Sequence, residues 1–146
     1  MYEDALARVD LFSGLRKKEL KEVATCCREG TYSPGSVLIS QGEKGIGLFI
    51  LTKGTVRITR ANSPGGAEQV LGTVEAGDVL GEMALLDDLP RSATVTAVDE
   101  VTVLVVPFWD FRIILRRILR RDPDVGLDLM AVLSRRLRKA EQRVNE

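Results

Sequence analysis

Between Gly30 and Pro107 the chain is cut into short β-prone runs by glycine-bearing turns, and no other feature restricts its fold as much. The clearest runs are Thr31–Tyr32, Val37–Ser40, Leu48–Thr52, Thr55–Arg60, Gln69–Val74, Ser92–Ala97 and Val101–Val106. Ser33-Pro34-Gly35 and Lys53-Gly54 are turn chemistry, and Asn62-Ser63-Pro64-Gly65-Gly66 is the loosest loop. Many short antiparallel strands with this punctuation predict a sandwich or a barrel. Both flanks change texture. Residues 4–27 read as helical, with Ser13 as a cap and Leu20, Val23, Ala24 and Cys27 as an apolar stripe. Pro107 ends the last strand and opens a helix near Phe108, which carries Ile113, Ile114, Leu115, Ile118 and Leu119. Asp122-Pro123-Asp124 interrupts it and starts a final helix. There Met130, Leu133, Leu137, Ala140 and Val144 follow a 3-4-3-4 spacing, a two-heptad apolar seam.

At 146 residues, 45% hydrophobic and 29% charged, the chain has the makings of one soluble globular domain. No apolar run approaches a membrane span, and Met1-Tyr2-Glu3-Asp4 is unlike a secretory leader. Cys26 and Cys27 are adjacent and fall in the predicted helix, so they read as small apolar side chains rather than a disulfide. A cytoplasmic location is expected. There is no histidine, which removes the commonest general base and the commonest metal ligand together. Neither catalysis nor a metal or cofactor is expected. Net charge is zero, yet residues 107–146 hold ten Lys/Arg against six Asp/Glu. The balance argues against a dedicated nucleic-acid binder. Arginines 112, 116, 117, 120 and 121 lack an interleaved aromatic platform and read as a solvated helix face.

One stretch carries chemistry. Leu80-Gly81-Glu82-Met83-Ala84-Leu85-Leu86 is followed, after an acidic spacer, by Pro90-Arg91-Ser92-Ala93-Thr94. Gly81 lets the backbone approach a ligand, and the following residues can open a short helix whose free N–H groups suit an anion. Arg91 offers a planar fork of donors that matches phosphate oxygens. Glu82 is acceptor-only at neutral pH, suited to a hydroxyl and repelled by phosphate. The pair therefore points to a sugar-phosphate held whole, its sugar at Glu82 and its phosphate at Arg91.

That segment resembles the phosphate-binding cassette of the cyclic-nucleotide-binding domain family. Leu38-Ile39-Ser40-Gln41-Gly42-Glu43-Lys44-Gly45, running into Leu48-Phe49-Ile50-Leu51 and Thr52-Lys53-Gly54, is similar to the family's other signature. The resemblance covers roughly residues 5 to 140. It implies an eight-stranded antiparallel jelly-roll barrel, mainly β, with N-terminal helices and two C-terminal helices. The whole of 1–146 would be one domain: a helical region 1–29, a barrel 30–106 with its cassette at 80–94, and C-terminal helices 107–146. It further implies that Glu82 bonds the ribose 2′-hydroxyl and Arg91 the cyclic phosphate. Backbone N–H groups of Met83, Ala84, Ser92 and Ala93 would be secondary donors. Serine at 92 is ambiguous between bases, and cAMP is expected ahead of cGMP. Arg136 is the lid candidate over the purine, and the seam from Met130 to Val144 is a candidate homodimer interface. Gly42, Gly45, Gly54 and Gly77 read as structural. Regulators of this family usually continue into a helix-turn-helix, whereas this chain ends at Glu146. The expected function is therefore a sensor without enzymatic activity, whose C-terminal helices move on nucleotide binding and signal to an effector protein that the sequence does not name. The alternative is an interaction module of the same fold that no longer binds nucleotide.

Overall fold

The computed structural model describes residues 2–87 and 89–145, with backbone alone at Met83, Ala84, Val144 and Asn145. Helices α1 (Glu3–Ala7) and α2 (Lys17–Ala24) flank a 3₁₀ turn (Asp10–Phe12), and α3 (Phe108–Arg121) and α4 (Asp124–Asn145) close the chain. Between them run β1 (Arg28–Tyr32), β2 (Val37–Ile39), β3 (Gly47–Lys53), β4 (Thr55–Ala61), β5 (Glu68–Glu75), β6 (Val79–Leu80), β7 (Thr94–Ala97) and β8 (Val101–Pro107). A second 3₁₀ turn, Glu82–Leu85, follows β6. Two compact units result, one of Met1–Cys26 with Asp110–Glu146 and one of Cys27–Trp109. No helix among the described residues is long and apolar enough to cross a membrane.

In the strand unit the eight described strands form two antiparallel four-stranded sheets, ordered β1-β8-β3-β6 and β2-β7-β4-β5. This is the expected jelly-roll topology, built as two sheets over a shared core rather than as a closed barrel. Alternation decides which side chains fill that core. Phe49 and Leu51 from β3, Val103 and Val105 from β8, Val56 from β4 and Val95 and Ala97 from β7 all enter it. Strands β3 and β8 lie inside their sheet, and Leu48 to Leu51 are buried at every position, which explains their unbroken apolar sequence. β5 is an outermost strand and leaves Val70 and Leu71 exposed. Reading the residues alone did not isolate β6. It is two residues long and pairs with Phe49 and Ile50, so its sequence merges with the cassette. Ser92 and Ala93 precede β7 instead of beginning it.

Of residues 4–27, read as helical with a cap at Ser13, the structure makes helix of α1, the first 3₁₀ turn and α2, and leaves the residues after Ala24 outside it. Ser13 ends the 3₁₀ turn, and the residue that caps α2 is Arg16. Glu19 reaches back to accept from the Arg16 backbone N–H at 3.3 Å and from its Nε at 3.2 Å, the N3-to-N-cap half of a capping box; the arginine has no acceptor with which to return the other half. Burial pushes the Glu19 pKa up, but the hydrogen bonds from Arg16 and the nearby charges of Arg16 and Arg121 outweigh it. The carboxyl is held below its ordinary value. Cys26 and Cys27 lie beyond the end of α2, half-buried and unbonded to each other, because the helix stops at Ala24. Phe12 stacks on Phe111 with ring centroids 5.4 Å apart. Ion pairs Arg16–Asp122 (3.1 Å), Arg121–Glu22 (2.8 Å) and Arg136–Asp10 (3.2 Å) join the N-terminal and C-terminal segments. On α4, Val125, Leu129 and Val132 are buried at helical spacing. Of the predicted seam, Met130, Leu137 and Ala140 are exposed and Leu133 is half-buried, while the side chain of Val144 lies outside the described residues.

Candidate functional site

Arg91 is the centre of the strand unit's chemistry. Its side chain is only 9% exposed, although it carries a charge. The main chain on either side of it is pinned to the turn after β2: Gly42 N–H donates to Arg91 O at 2.8 Å, and Arg91 N–H donates to Glu43 O at 2.9 Å. The guanidinium then reaches two backbone carbonyls. Nη1 donates to Gly81 O at 3.2 Å and Nη2 donates to Gly47 O. Nε is buried without a hydrogen-bond partner among the described residues. Burial lowers the Arg91 pKa from its ordinary value and the charge of Asp87 opposes that shift. Arginine titrates so far above neutrality that the group stays a cation. Among the described residues no carboxylate is hydrogen-bonded to the guanidinium, whose Nη groups are held by carbonyl dipoles.

Two glycines frame it. Gly81 has φ +75°, a conformation other residues adopt only with strain, and a Cβ there would stand 2.2 Å from Nη1 of Arg91. A Cβ on Gly45 would stand 2.0 Å from Nε. Gly45 therefore does more than shape a turn, which is all the sequence reading gave it.

A cavity of about 250 Å³ opens beside the guanidinium. Gly81, Arg91, Ser92 and Ala93 form its polar side, Ile39, Ile58, Leu71, Leu80 and Val95 its apolar wall, and Arg60 also lines it. A second cavity of about 230 Å³ shares Arg91 and is bounded by Ser40, Glu43, Lys44, Gly45 and Phe49 among others. Glu82 opens the second 3₁₀ turn, half-buried and next to Gly81. The structure thus brings Gly81, Arg91, Ser92 and Ala93 around one cavity, with Glu82 adjoining in sequence. Met83 and Ala84 continue the same turn, and their side chains lie outside the described residues. Arg136 belongs to the helical unit, where it pairs with Asp10. The short helix expected after Gly81 is a four-residue 3₁₀ turn, too short for its peptide dipoles to sum to much.

Two residues that the sequence reading did not select help to build the site. Gln41 donates Nε2–H to Ala61 O at 2.7 Å and accepts from Ala61 N–H at 2.8 Å, while its own N–H donates to Thr94 Oγ1 at 3.0 Å. Arg60 donates Nε–H to Ser92 O at 3.0 Å. A signal for Arg60 was present: it follows Val56 and Ile58 at period two, a charge on the apolar face of a strand. Among the described residues no group of His, Cys, Asp and Glu side chains is placed to hold a metal.

A jelly-roll with a buried guanidinium beside a small, largely apolar cavity offers a small organic anion both a charge and an apolar wall. The family model for the cyclic nucleotide-binding domain matches residues 29–118, and the chain belongs to that family. It is 34% identical over 131 residues to the cyclic AMP receptor protein of Thermus thermophilus, an alignment covering 90% of this chain and 58% of that protein. It is 33% identical over 106 residues to human cGMP-dependent protein kinase 2, covering 72% of this chain and 14% of the kinase. The N-terminal domain of a transcriptional regulator from Streptomyces coelicolor superposes with a TM-score of 0.79 at 33% identity, covering 97% of this chain and 95% of that one. The chain thus spans little more than half the length of the Thermus protein and a small part of the kinase.

Proposed function

We propose that this domain is a regulatory sensor that binds a 3′,5′-cyclic nucleotide, cAMP ahead of cGMP, in the cavity lined by Gly81, Arg91, Ser92 and Ala93. The observation that carries the reading is the buried Arg91 guanidinium, whose Nε has no hydrogen-bond partner among the described residues and whose Nη groups are bonded to the neutral carbonyls of Gly81 and Gly47. A cyclic phosphate supplies the opposite charge, and charge-assisted hydrogen bonds are about twice as strong as those to neutral acceptors. The ligand exchanges the Gly47 and Gly81 carbonyls for phosphate oxygens at no extra cost in burying charge. Glu82 takes the ribose 2′-hydroxyl, and backbone N–H groups of Met83, Ala84, Ser92 and Ala93 add donors. The five aliphatic side chains of the cavity suit a purine face. The Thermus relative, named as a cyclic AMP receptor and aligned over most of this chain, supports cAMP as the first ligand.

In this reading the chain works as one cytoplasmic domain with its helical region at 1–29, barrel at 30–106 and C-terminal helices at 107–146. Nucleotide binding repositions the C-terminal helices and signals to an effector protein. Arg136 contributes to the base on closure by exchanging Asp10 for the ligand, and two copies pair through Met130, Leu133, Leu137, Ala140 and Val144. With Glu82 engaged by the ribose hydroxyl and no histidine in the chain, the nucleotide is bound and released unchanged. A module that has lost its ligand would gain nothing from burying a guanidinium, which disfavours that alternative.

Calorimetry with cAMP tests the assignment. Arg91→Ala and Arg91→Lys are both expected to weaken binding by at least tenfold, the lysine variant because it keeps the charge and loses the fork. Unchanged affinity in both variants would rule out Arg91 as the phosphate site.

A further inference from the structure

Arg91 borders two cavities, and the nucleotide reading fills one of them. The other, of about 230 Å³, lies against the turn after β2, and among the described residues its lining shares only Ile39 and Arg91 with the first. The guanidinium turns a different edge to each. Gly81 lines the nucleotide cavity and a Cβ there would meet Nη1, whereas Gly45 lines the second cavity and a Cβ there would meet Nε. We propose that the second cavity is a separate site for a small aliphatic monocarboxylate, whose occupant weakens nucleotide binding through Arg91. The site stands without the cyclic-nucleotide reading, while the coupling rests on that reading.

The lining selects the class of ligand. Arg91 and Lys44 set two cations against one carboxylate, that of Glu43, so the cavity matches a single negative charge and disfavours a dianion. Ser40 adds a hydroxyl donor, and the burial of Arg91 strengthens its pull on an anion. The remaining wall is apolar. Leu38, Ile39 and Phe49 contribute to it, and Val37 and Ile46 are exposed aliphatic side chains that a ligand tail would cover. A cavity of about 150 Å³ admits benzene, so this one has room for a branched acid of about five carbons. Two anions on one guanidinium repel each other and compete for one charge. Occupancy of either cavity therefore lowers affinity at the other, by the same factor in both directions.

Isovalerate is the probe, titrated into the full chain without nucleotide and followed by the backbone amide resonances. Saturable shifts are expected at Ser40, Gly45 and Ile46, with isovaleramide, the neutral isostere, weaker by about tenfold. Ile46→Asp removes the contact with the tail and puts a like charge at the mouth, and is expected to weaken isovalerate by about tenfold, whereas Ile46→Leu retains it. Both variants should melt near the wild type, because Ile46 is exposed. Calorimetry with cAMP then reads the coupling: saturating isovalerate is expected to raise the cAMP dissociation constant by about fivefold in the wild type and to leave it unchanged in Ile46→Asp. No saturable shift with isovalerate, equal binding of the amide, or shifts confined to Ser92 and Ala93 would overturn the site. An unchanged cAMP constant beside saturable shifts would overturn the coupling. A chain that binds isovalerate at these amides but neither cAMP nor cGMP would support the site and overturn the nucleotide reading, so the two fail separately.

Discussion

A methyl group on Gly45 would stand 2.0 Å from Nε of Arg91 and 2.1 Å from Nη2, distances that real side chains do not reach. An arginine usually escapes such a clash by swinging its end away. Here the Gly81 and Gly47 carbonyls hold the Nη groups, and the side chain is buried. The guanidinium must leave its carbonyl seat or push the turn after β2 outward. Gly45→Ala is therefore expected to weaken cAMP by about tenfold, the lower end of the 1–3 kcal/mol typical of overpacking. Calorimetry beside a thermal melt separates this from loss of fold: affinity should fall while the melting temperature changes little. Retained affinity would mean that the ligand-bound guanidinium lies elsewhere. Arg91 and Ser92, which line one cavity, could be picked out from the sequence because they lie together in one segment with Gly81. Gly45 was not, since its role is the absence of an atom next to a residue 46 positions away.

Elements were legible to the extent that their signal was local. Unbroken apolar runs gave β3 and β8, and the break at Asp122-Pro123-Asp124 separates α3 from α4 as expected. Ser13 carries the better intrinsic capping side chain, yet the helix starts after Arg16, because Glu19 returns to the Arg16 backbone and forms an ion pair with its side chain. Tertiary bonding overrode propensity there. Gln41 is a case of the same kind between strands. Its side-chain amide copies the pattern of a backbone bridge, donating to and accepting from Ala61 across 20 residues of sequence, and its N–H holds Thr94 at the start of β7. The turn that grips Arg91 is thereby fastened to the ends of β4 and β7. Gln41→Ala leaves both Ala61 backbone groups without their partner. A loss of about 1–3 kcal/mol in urea unfolding is expected, since part-buried backbone groups forfeit most of a hydrogen bond each. Nucleotide affinity should fall in the same variant, because Gly42 and Glu43 are the residues bonded to Arg91. An unchanged unfolding midpoint would show that water replaces the amide without cost.

For the molecule as a whole, the open question is what meets α4. The helix has two apolar stripes where a helix packed on one side needs one. Val125, Leu129 and Val132 are buried, whereas Met130 is 59% and Leu137 62% exposed, with Leu133 half-buried between them. The second stripe keeps a 3-4 spacing over Met130, Leu133, Leu137 and Ala140, the period that lets two helices mesh along a seam. With Met130 and Leu137 at a, and Leu133 and Ala140 at d, a second copy meets the stripe with the same stripe, the self-complementary contact of a two-fold pair. Leu137→Asp would place a carboxylate in the middle of that pair, where it would be desolvated without a cation. Sedimentation velocity is expected to show a dimer for the wild type that dissociates with dilution, and a monomer for Leu137→Asp at the same concentrations. Lys139→Ala, on the far side of the same helix, should leave the dimer intact. The Leu137→Asp monomer should also melt no lower than the dissociated wild type, since Leu137 is exposed within one copy. A wild-type chain that stays monomeric at high protein concentration would refute the pairing, and the exposed stripe would then belong to a different partner.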